Sequence, residues 1–360
     1  MTNGIKIFEK VKEAGYDAAV FFDEISQRYL TGFHTTDGIV LVSEHETALI
    51  TDSRYFEAAT IAKNKGELED DCTPYLFTTR ALDVLSEHIQ KKNIASIAFD
   101  KTLMTVAQSE MLIQALPKIR IGSMSAICAE ARRHKSKKEI ENIKAAQAIT
   151  DAAFAHILKF IREGVTETEI AAELEYFCRK NGADGMAFDT ITVSGAKTSL
   201  PHGVPAPIPL TKNAFITMDF GAKYNGYCSD MTRTVVLGKA DRDMQQIYQT
   251  VLTAQQKALD CIKSGVAGCE VDNAARSYIY SEGYEGYFGH STGHSLGLEI
   301  HEEPRFSSAW KDKITAGAVM TVEPGIYIPG KGGVRIEDMV LVTENGYENL
   351  TKSVKELIEI

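Results

Sequence analysis

The sequence predicts an α/β (α+β) chain of two domains, the second of them built from a duplicated unit. Three observations carry this. Residues 1–126 alternate short apolar strand patterns with amphipathic helical ones. From Lys137 the pattern changes to long helical segments followed by clustered strands and turns. That order then recurs about 101 positions further on, as Gly164-Val165 reappears as Gly265-Val266. At 360 residues, two or three packed units are in any case the expectation.

In the first domain, Ile5 to Ala14 reads as a short amphipathic helix, with Ile5, Phe8 and Val11 set between lysines and glutamates rather than in an export signal. Asp17 to Phe22 is a buried-strand run. Gly38 to Val42 and Thr47 to Thr51 form a strand pair, Arg54 to Lys65 has helical spacing, and Ile94 to Phe99 is another strand. Asp52, Arg54 and Tyr55 are polar groups at a strand end and are read as structural. A basic run (Arg132, Arg133, His134, Lys135, Lys137 and Lys138) is read as a solvated linker leading into a helix, so residues 127–136 separate domains 1–126 and 137–360.

In the second domain, helical segments at Glu139 to Arg162 and Glu167 to Lys180 precede strands and turns. Segments at Asp241 to Lys263 and Glu270 to Ser281 precede a second such set. Glu169-Ile170 is echoed by Glu270-Val271, Gly182 and Gly185 by Gly283 and Gly286, and His202 and Pro205 by His301 and Pro304. The duplication reaches the acids. Asp219 ends one strand and Asp230 lies on the next; Glu323 and Glu337 hold the matched places in the second half. Folded about a pseudo-twofold axis, the four converge.

Bulk properties narrow the function. A net charge of −10 repels phosphate backbones and argues against nucleic acid. No apolar run approaches the ~20 residues of a membrane span. The six cysteines lack paired metal-ligand spacing and read as reduced thiols of a cytoplasmic protein.

Four buried carboxylates cannot stay ionised together without cations, because burying unpaired charge is very costly. A pair of divalent metals resolves this. Oxygen ligands with a single imidazole favour manganese, iron, cobalt or zinc over copper(I). The imidazole candidates are His290, His294 and His301, in a glycine-rich stretch without the helical His-Glu-x-x-His pattern.

These segments resemble the pita-bread metallopeptidases: methionine aminopeptidase, aminopeptidase P and prolidase. Asp-Phe-Gly, Ser-Asp-x-Thr-Arg-Thr, His-x-x-Gly-His-x-x-Gly-Leu-x-x-His-Glu, Val-Glu-Pro-Gly-x-Tyr and Arg-Ile-Glu-Asp occur in that order between Pro201 and Asp338. The first domain resembles the creatinase-like N-terminal domain of the proline-specific members. The implied fold is therefore a creatinase-like α/β domain followed by a pita-bread catalytic domain with pseudo-twofold duplication.

Carried over, the resemblance implies metal ligands at Asp219, Asp230, His294, Glu323 and Glu337. Asp230 and Glu337 would bridge two ions, Asp219 would chelate one, and His294 with Glu323 would complete the other. Manganese is the first expectation, with cobalt, zinc or iron as alternatives. His202, His290 and His301 would bind substrate, stabilise the tetrahedral intermediate or shuttle protons, and Arg335 would orient carboxylates or the substrate end. Ser291 and Ser295 stand where glycine is frequent in these relatives. The implied reaction is metal-assisted hydrolysis of the bond between an N-terminal residue and a following proline, by an Xaa-Pro aminopeptidase that is a homodimer. An Xaa-Pro dipeptidase is the alternative, and a non-catalytic pita-bread peptide-binding protein the reading from another class. Methionine aminopeptidase is disfavoured by the extra N-terminal domain, and a creatinase-type amidinohydrolase by the filled ligand positions.

Overall fold

A computed structural model describes residues 1–360, which divide into two compact units, Met1–Arg132 and Arg133–Ile360. In the first unit the elements are α1 (Asn3–Glu13), β1 (Ala18–Phe21), α2 (Glu24–Thr31), β2 (Gly38–Ser43), β3 (Glu46–Thr51), α3 (Ser53–Asn64), β4 (Cys72–Leu76), α4 (Ala81–Lys91), β5 (Ser96–Asp100), α5 (Val106–Ala115), β6 (Arg120–Met124) and α6 (Ile127–Arg132). The strands form one mixed sheet in the order β4-β3-β2-β1-β5-β6. The expected pair β2–β3 is antiparallel, while β1–β5 is parallel and so needs the long crossover between them. Buried Val20, Leu41, Ile50 and Ile97 make the core. Asp52 is the N-cap of α3, its carboxylate accepting from Arg54 N at 2.9 Å, which is a structural role.

The second unit runs α7 (Lys137–Phe160), α8 (Glu167–Lys180), β7 (Gly185–Met186), β8 (Ile191–Ser194), β9 (Ala214–Phe220), β10 (Ala222–Tyr224), β11 (Tyr227–Cys228), β12 (Met231–Leu237), α9 (Arg242–Asp260), α10 (Gly268–Ile279), β13 (Gly293–Ser295), β14 (Glu302–Phe306), β15 (Val319–Val322), β16 (Gly325–Ile328), β17 (Gly332–Arg335), β18 (Asp338–Val342) and β19 (Tyr347–Asn349). The two helix pairs start alike. Glu169 reaches back to the amide of Thr166, the N-cap of α8, at 2.8 Å. Glu270 does the same for Ala267, 101 positions on, at 2.9 Å. Just beyond, Thr166 bridges to Pro209 and Ala267 to Lys313, both antiparallel. Each helix pair then covers its own core. Phe154, Ile157, Leu174, Met218 and Phe220 fill the first. Val251, Ala275, Phe306, Met320 and Val340 fill the second.

The strands carry the acids to one place. In the sheet β12-β9-β8, Thr232 sits opposite Asp219. In the sheet β14-β13-β15-β18-β19, β15 pairs antiparallel with β18, and Glu323 and Glu337 flank their junction. A buried ion pair ties the two halves: Arg233 Nη2 lies 2.7 Å from Asp338 Oδ1. Burial pushes the Asp338 carboxyl up, but the Arg233 and Lys355 cations outweigh it and hold the group below the usual carboxylate range. Arg233 also donates to the carbonyls of Thr232 and Glu337, next to the cavity residues of both sheets.

The basic segment departs from the solvated linker expected of it. Ile127–Arg132 is helical and buries Ile127 and Cys128. Lys135 is only 3% exposed, because Glu302 and Ser295 supply polar partners inside the second unit.

Candidate active site

One cavity of about 600 Å³ gathers Asp219, Asp230, Glu323, Glu337, His202, His290, His294, His301 and Arg335. All nine side chains singled out in the sequence therefore share one site. Its other walls are Phe188, Ile191, Pro201, Val204, Ile300 and Arg305 among others.

Close backbone approaches bring the carboxylates in. A Cβ on Gly221 would come within 1.8 Å of the Ser229 carbonyl oxygen, so glycine lets the Asp219 and Asp230 segments touch. At Gly293 a Cβ would meet the Thr321 carbonyl oxygen at 1.9 Å, so the strand bearing His294 also depends on glycine. His294 N then donates to Thr321 Oγ1 at 3.0 Å, and that hydroxyl donates to Glu323 Oε1 at 3.2 Å.

Asp230, His294 and Glu337 offer ligand atoms that all lie within 4.8 Å of one another, and all three residues are buried. His294 Nε2 is 3.6 Å from Asp230 Oδ2 and 3.3 Å from Glu323 Oε1. Its Nδ1 lies 3.1 Å from the Ser295 carbonyl oxygen, a contact that places the ring proton on Nδ1 and turns the Nε2 lone pair toward the carboxylates. Burial, with His301 and Arg305 adding, pushes His294 down to about 3 and keeps the ring neutral. A neutral nitrogen facing carboxylate oxygens needs a proton or a cation between them.

The carboxyls register the same shortage of positive charge. Burial pushes Glu323 up to about 8 against the pull of Arg335. Asp230 is raised by burial and then by Glu337, Asp219 and Glu323; Glu337 is raised by burial and then by Glu323 and Asp219. Asp219 Oδ1 and Glu337 Oε1 are buried with no hydrogen-bond partner. Such orphaned oxygens are rare in folded proteins. Facing one neutral imidazole, they fit divalent metal ions of the hard or borderline type.

Arg335 organises the cavity floor. It donates from Nη2 to Asp219 Oδ2 at 2.6 Å, from Nε to Thr232 Oγ1 at 2.9 Å and from Nη1 to Tyr327 OH at 2.8 Å. The Thr232 hydroxyl donates in turn to Glu337 Oε2 at 2.7 Å. Both nitrogens of His290 are engaged, Nδ1 with the Ser291 carbonyl and Nε2 with Tyr327 OH, each at 2.8 Å. Burial first, and Arg335 next, push His290 down to about 4. His202 and His301 instead stand exposed at the rim. Burial, then Arg305 and His202, lower the pKa of His301.

Sequence reasoning gave no site role to Thr232, Tyr327, Arg305 or Lys135. Thr232 and Tyr327 had a signal, because they lie within the Ser-Asp-x-Thr-Arg-Thr and Val-Glu-Pro-Gly-x-Tyr motifs. Arg305 and Lys135 had none, because each acts across a fold contact.

Residues 141–344 match the model of metallopeptidase family M24, and residues 6–134 that of the creatinase/prolidase N-terminal domain. The chain is 39% identical to the uncharacterized peptidase YqhT of Bacillus subtilis over 96% of either chain. It superposes on a structure of Xaa-Pro dipeptidase from Bacillus anthracis with a TM-score of 0.93 and 40% identity, over 99% of both chains. An X-Pro aminopeptidase from Thermotoga maritima gives a TM-score of 0.92 and 36% identity, over 98% of this chain and 100% of that one. The acids that burial leaves short of positive charge thus sit in a chain matched almost end to end by an Xaa-Pro dipeptidase and an X-Pro aminopeptidase, and the chain belongs to metallopeptidase family M24, as a metallo-exopeptidase.

Proposed function

We propose that this chain hydrolyses the Xaa-Pro bond at the N-terminus of peptides, as an Xaa-Pro aminopeptidase. The observation that carries the reading is the buried group Asp230, His294 and Glu337, with Asp219 and Glu323 beside it, inside a single cavity. Asp230 and Glu337 would bridge two divalent ions, Asp219 would hold one, and His294 and Glu323 would hold the other. Bound there, the ions, with manganese the first choice, would activate water and polarise the scissile carbonyl.

The remaining roles fall to the chain's own groups. Glu323, in the same cavity, would carry the proton toward the leaving proline nitrogen. Exposed His202 and His301, which line the same cavity, would supply hydrogen bonds to developing negative charge. His290 holds Tyr327, and through it Arg335, which in turn orients Asp219. Proline's nitrogen has no proton to donate in the substrate amide. Selection for it therefore rests on shape, and the apolar wall of Phe188, Ile191, Val204 and Ile300 is available for that. Val204 on that wall is 75% exposed, and an opening there would give chain beyond the proline an exit.

Arg305 favours a second reading, the Xaa-Pro dipeptidase. A guanidinium on the cavity wall is suited to the free carboxylate of a dipeptide. Hydrolysis of Xaa-Pro against Xaa-Pro-Yaa, with Xaa-Ala controls, in Mn²⁺ and after chelation, decides between the two. Metal-dependent cleavage of the tripeptide supports the aminopeptidase. Cleavage of the dipeptide alone makes the enzyme a dipeptidase, and no cleavage of either overturns the Xaa-Pro reading. A homodimer forms part of the proposal and is tested by sedimentation of the purified chain.

A further inference from the structure

The segment before α7 ends on a lysine that the reaction has not used. The Lys135 side chain is 1% exposed, and its Nζ donates to Ser295 Oγ at 2.8 Å and to Glu302 Oε2 at 3.2 Å. Those two partners oppose one another across β13 and β14 at a place where the ladder is irregular. His294 faces Arg305, but its neighbour Ser295 faces Glu302, so Glu303 and Pro304 are surplus on β14. Such a bulge leaves residues unpaired and re-aims the side chain beside it. Here that side chain is His294.

The stretch from Ser295 to Glu302 hangs on the same ammonium. Glu302 Oε1 accepts from Glu299 N at 3.2 Å, and it packs so close to Gly297 that a Cβ there would lie 2.9 Å away. The Gly297 carbonyl accepts from Cys228 N at 2.7 Å, two residues from Asp230. The Ser295 carbonyl is the group that holds His294 Nδ1. Lys135 is itself anchored within the second unit. Its amide donates to the Gly317 carbonyl at 3.0 Å, His134 Nδ1 contacts the Ala316 carbonyl at 2.8 Å, and Arg133 pairs with Glu303.

We propose that Lys135 is a positioning residue: it sets the register of the hairpin from His294 to His301, and with it the direction in which His294 Nε2 meets a divalent ion. The inference rests on the metal reading given above. Stability alone is a poor reason for this lysine, since a buried ion pair is often replaced by apolar residues at no net loss, whereas fixing register is its best-attested use.

The test is calorimetric titration of the full chain with MnCl₂, on Lys135→Met and on the double variant Lys135→Met/Glu302→Leu, alongside metal-free thermal unfolding. Lys135→Met takes the ammonium away from the buried Glu302 carboxylate, whereas the double variant removes that carboxylate too and should recover the unfolding temperature. Both should bind Mn²⁺ more weakly than the parent, by up to the roughly 10–100-fold that losing a direct hydrogen-bond partner of a metal ligand costs, because Lys135 holds the residue whose carbonyl is the partner of His294. Parental Mn²⁺ affinity in a well-folded double variant overturns the inference alone. A parent chain that binds no divalent ion overturns the metal reading and this inference with it.

Discussion

Arg335 Nη2 donates to Asp219 Oδ2 across 2.6 Å, so one carboxylate of an acidic cavity is neutralised from within the protein. The same guanidinium reaches Glu337 through the hydroxyl of Thr232. Arg335 thus serves both halves of the duplicated unit, as the built-in cation around which added positive charge would be arranged.

Replacing Arg335 with Met removes one partner from a buried pair, a change that usually costs about 3–5 kcal/mol. The loss should be largest without metal, because bound divalent ions supply the same carboxylates with positive charge. Thermal unfolding with and without Mn²⁺ measures both. An equal loss in the two states would show that Arg335 is not a counter-charge for this site.

The metal-free protein should lose stability as pH rises from 6.5 to 8. Glu323, Asp230 and Glu337 have raised folded pKa values, so their contribution is complete below the unfolded value and lost as pH climbs through the folded one, about 8 for Glu323. His290 and His294, lowered to about 4 and about 3, contribute in the opposite sense, but only below the unfolded histidine value of ~6.5. Above it the carboxyls act alone, each with a slope of up to about 1.4 kcal/mol per pH unit. Unfolding temperatures across this range check the sign, and saturating Mn²⁺ should flatten the slope.

Asp230→Ala should abolish peptidase activity and weaken metal binding while the chain still folds. It removes a carboxyl that burial and three neighbouring acids already penalise, so the metal-free variant at pH 8 should unfold no earlier than the parent. Turnover at the parental rate would refute the bridging role.

Tyr327→Phe deletes a hydroxyl placed 2.8 Å from both His290 Nε2 and Arg335 Nη1. Two buried groups lose a partner, at about 1–3 kcal/mol. Because the chain from His290 to Asp219 loosens, kcat should fall about 10–100-fold with little change in KM. Steady-state kinetics on an Xaa-Pro peptide gives both constants, and a change confined to KM would place Tyr327 in substrate binding instead.

Local pattern determined much of this protein. Apolar periodicity was enough to place α8 at Glu167–Lys180 and the pair β2–β3, and the repeated order of helices and strands to match Asp219 with Glu323 and Asp230 with Glu337. These signals lie within a turn or a strand, where neighbours in sequence are neighbours in space. Tertiary structure alone decided what depends on contacts between distant segments. Lys135 reads in sequence as one more solvated cation, and its burial follows from Glu302, 167 positions away. Arg305 lines the cavity from β14, where the strand pairing sets it opposite His294, 11 positions back in the sequence. The raised carboxyl of Glu323 and the neutral ring of His294 likewise come from desolvation, which no residue carries in its own identity and which arises only when the two halves close around one cavity.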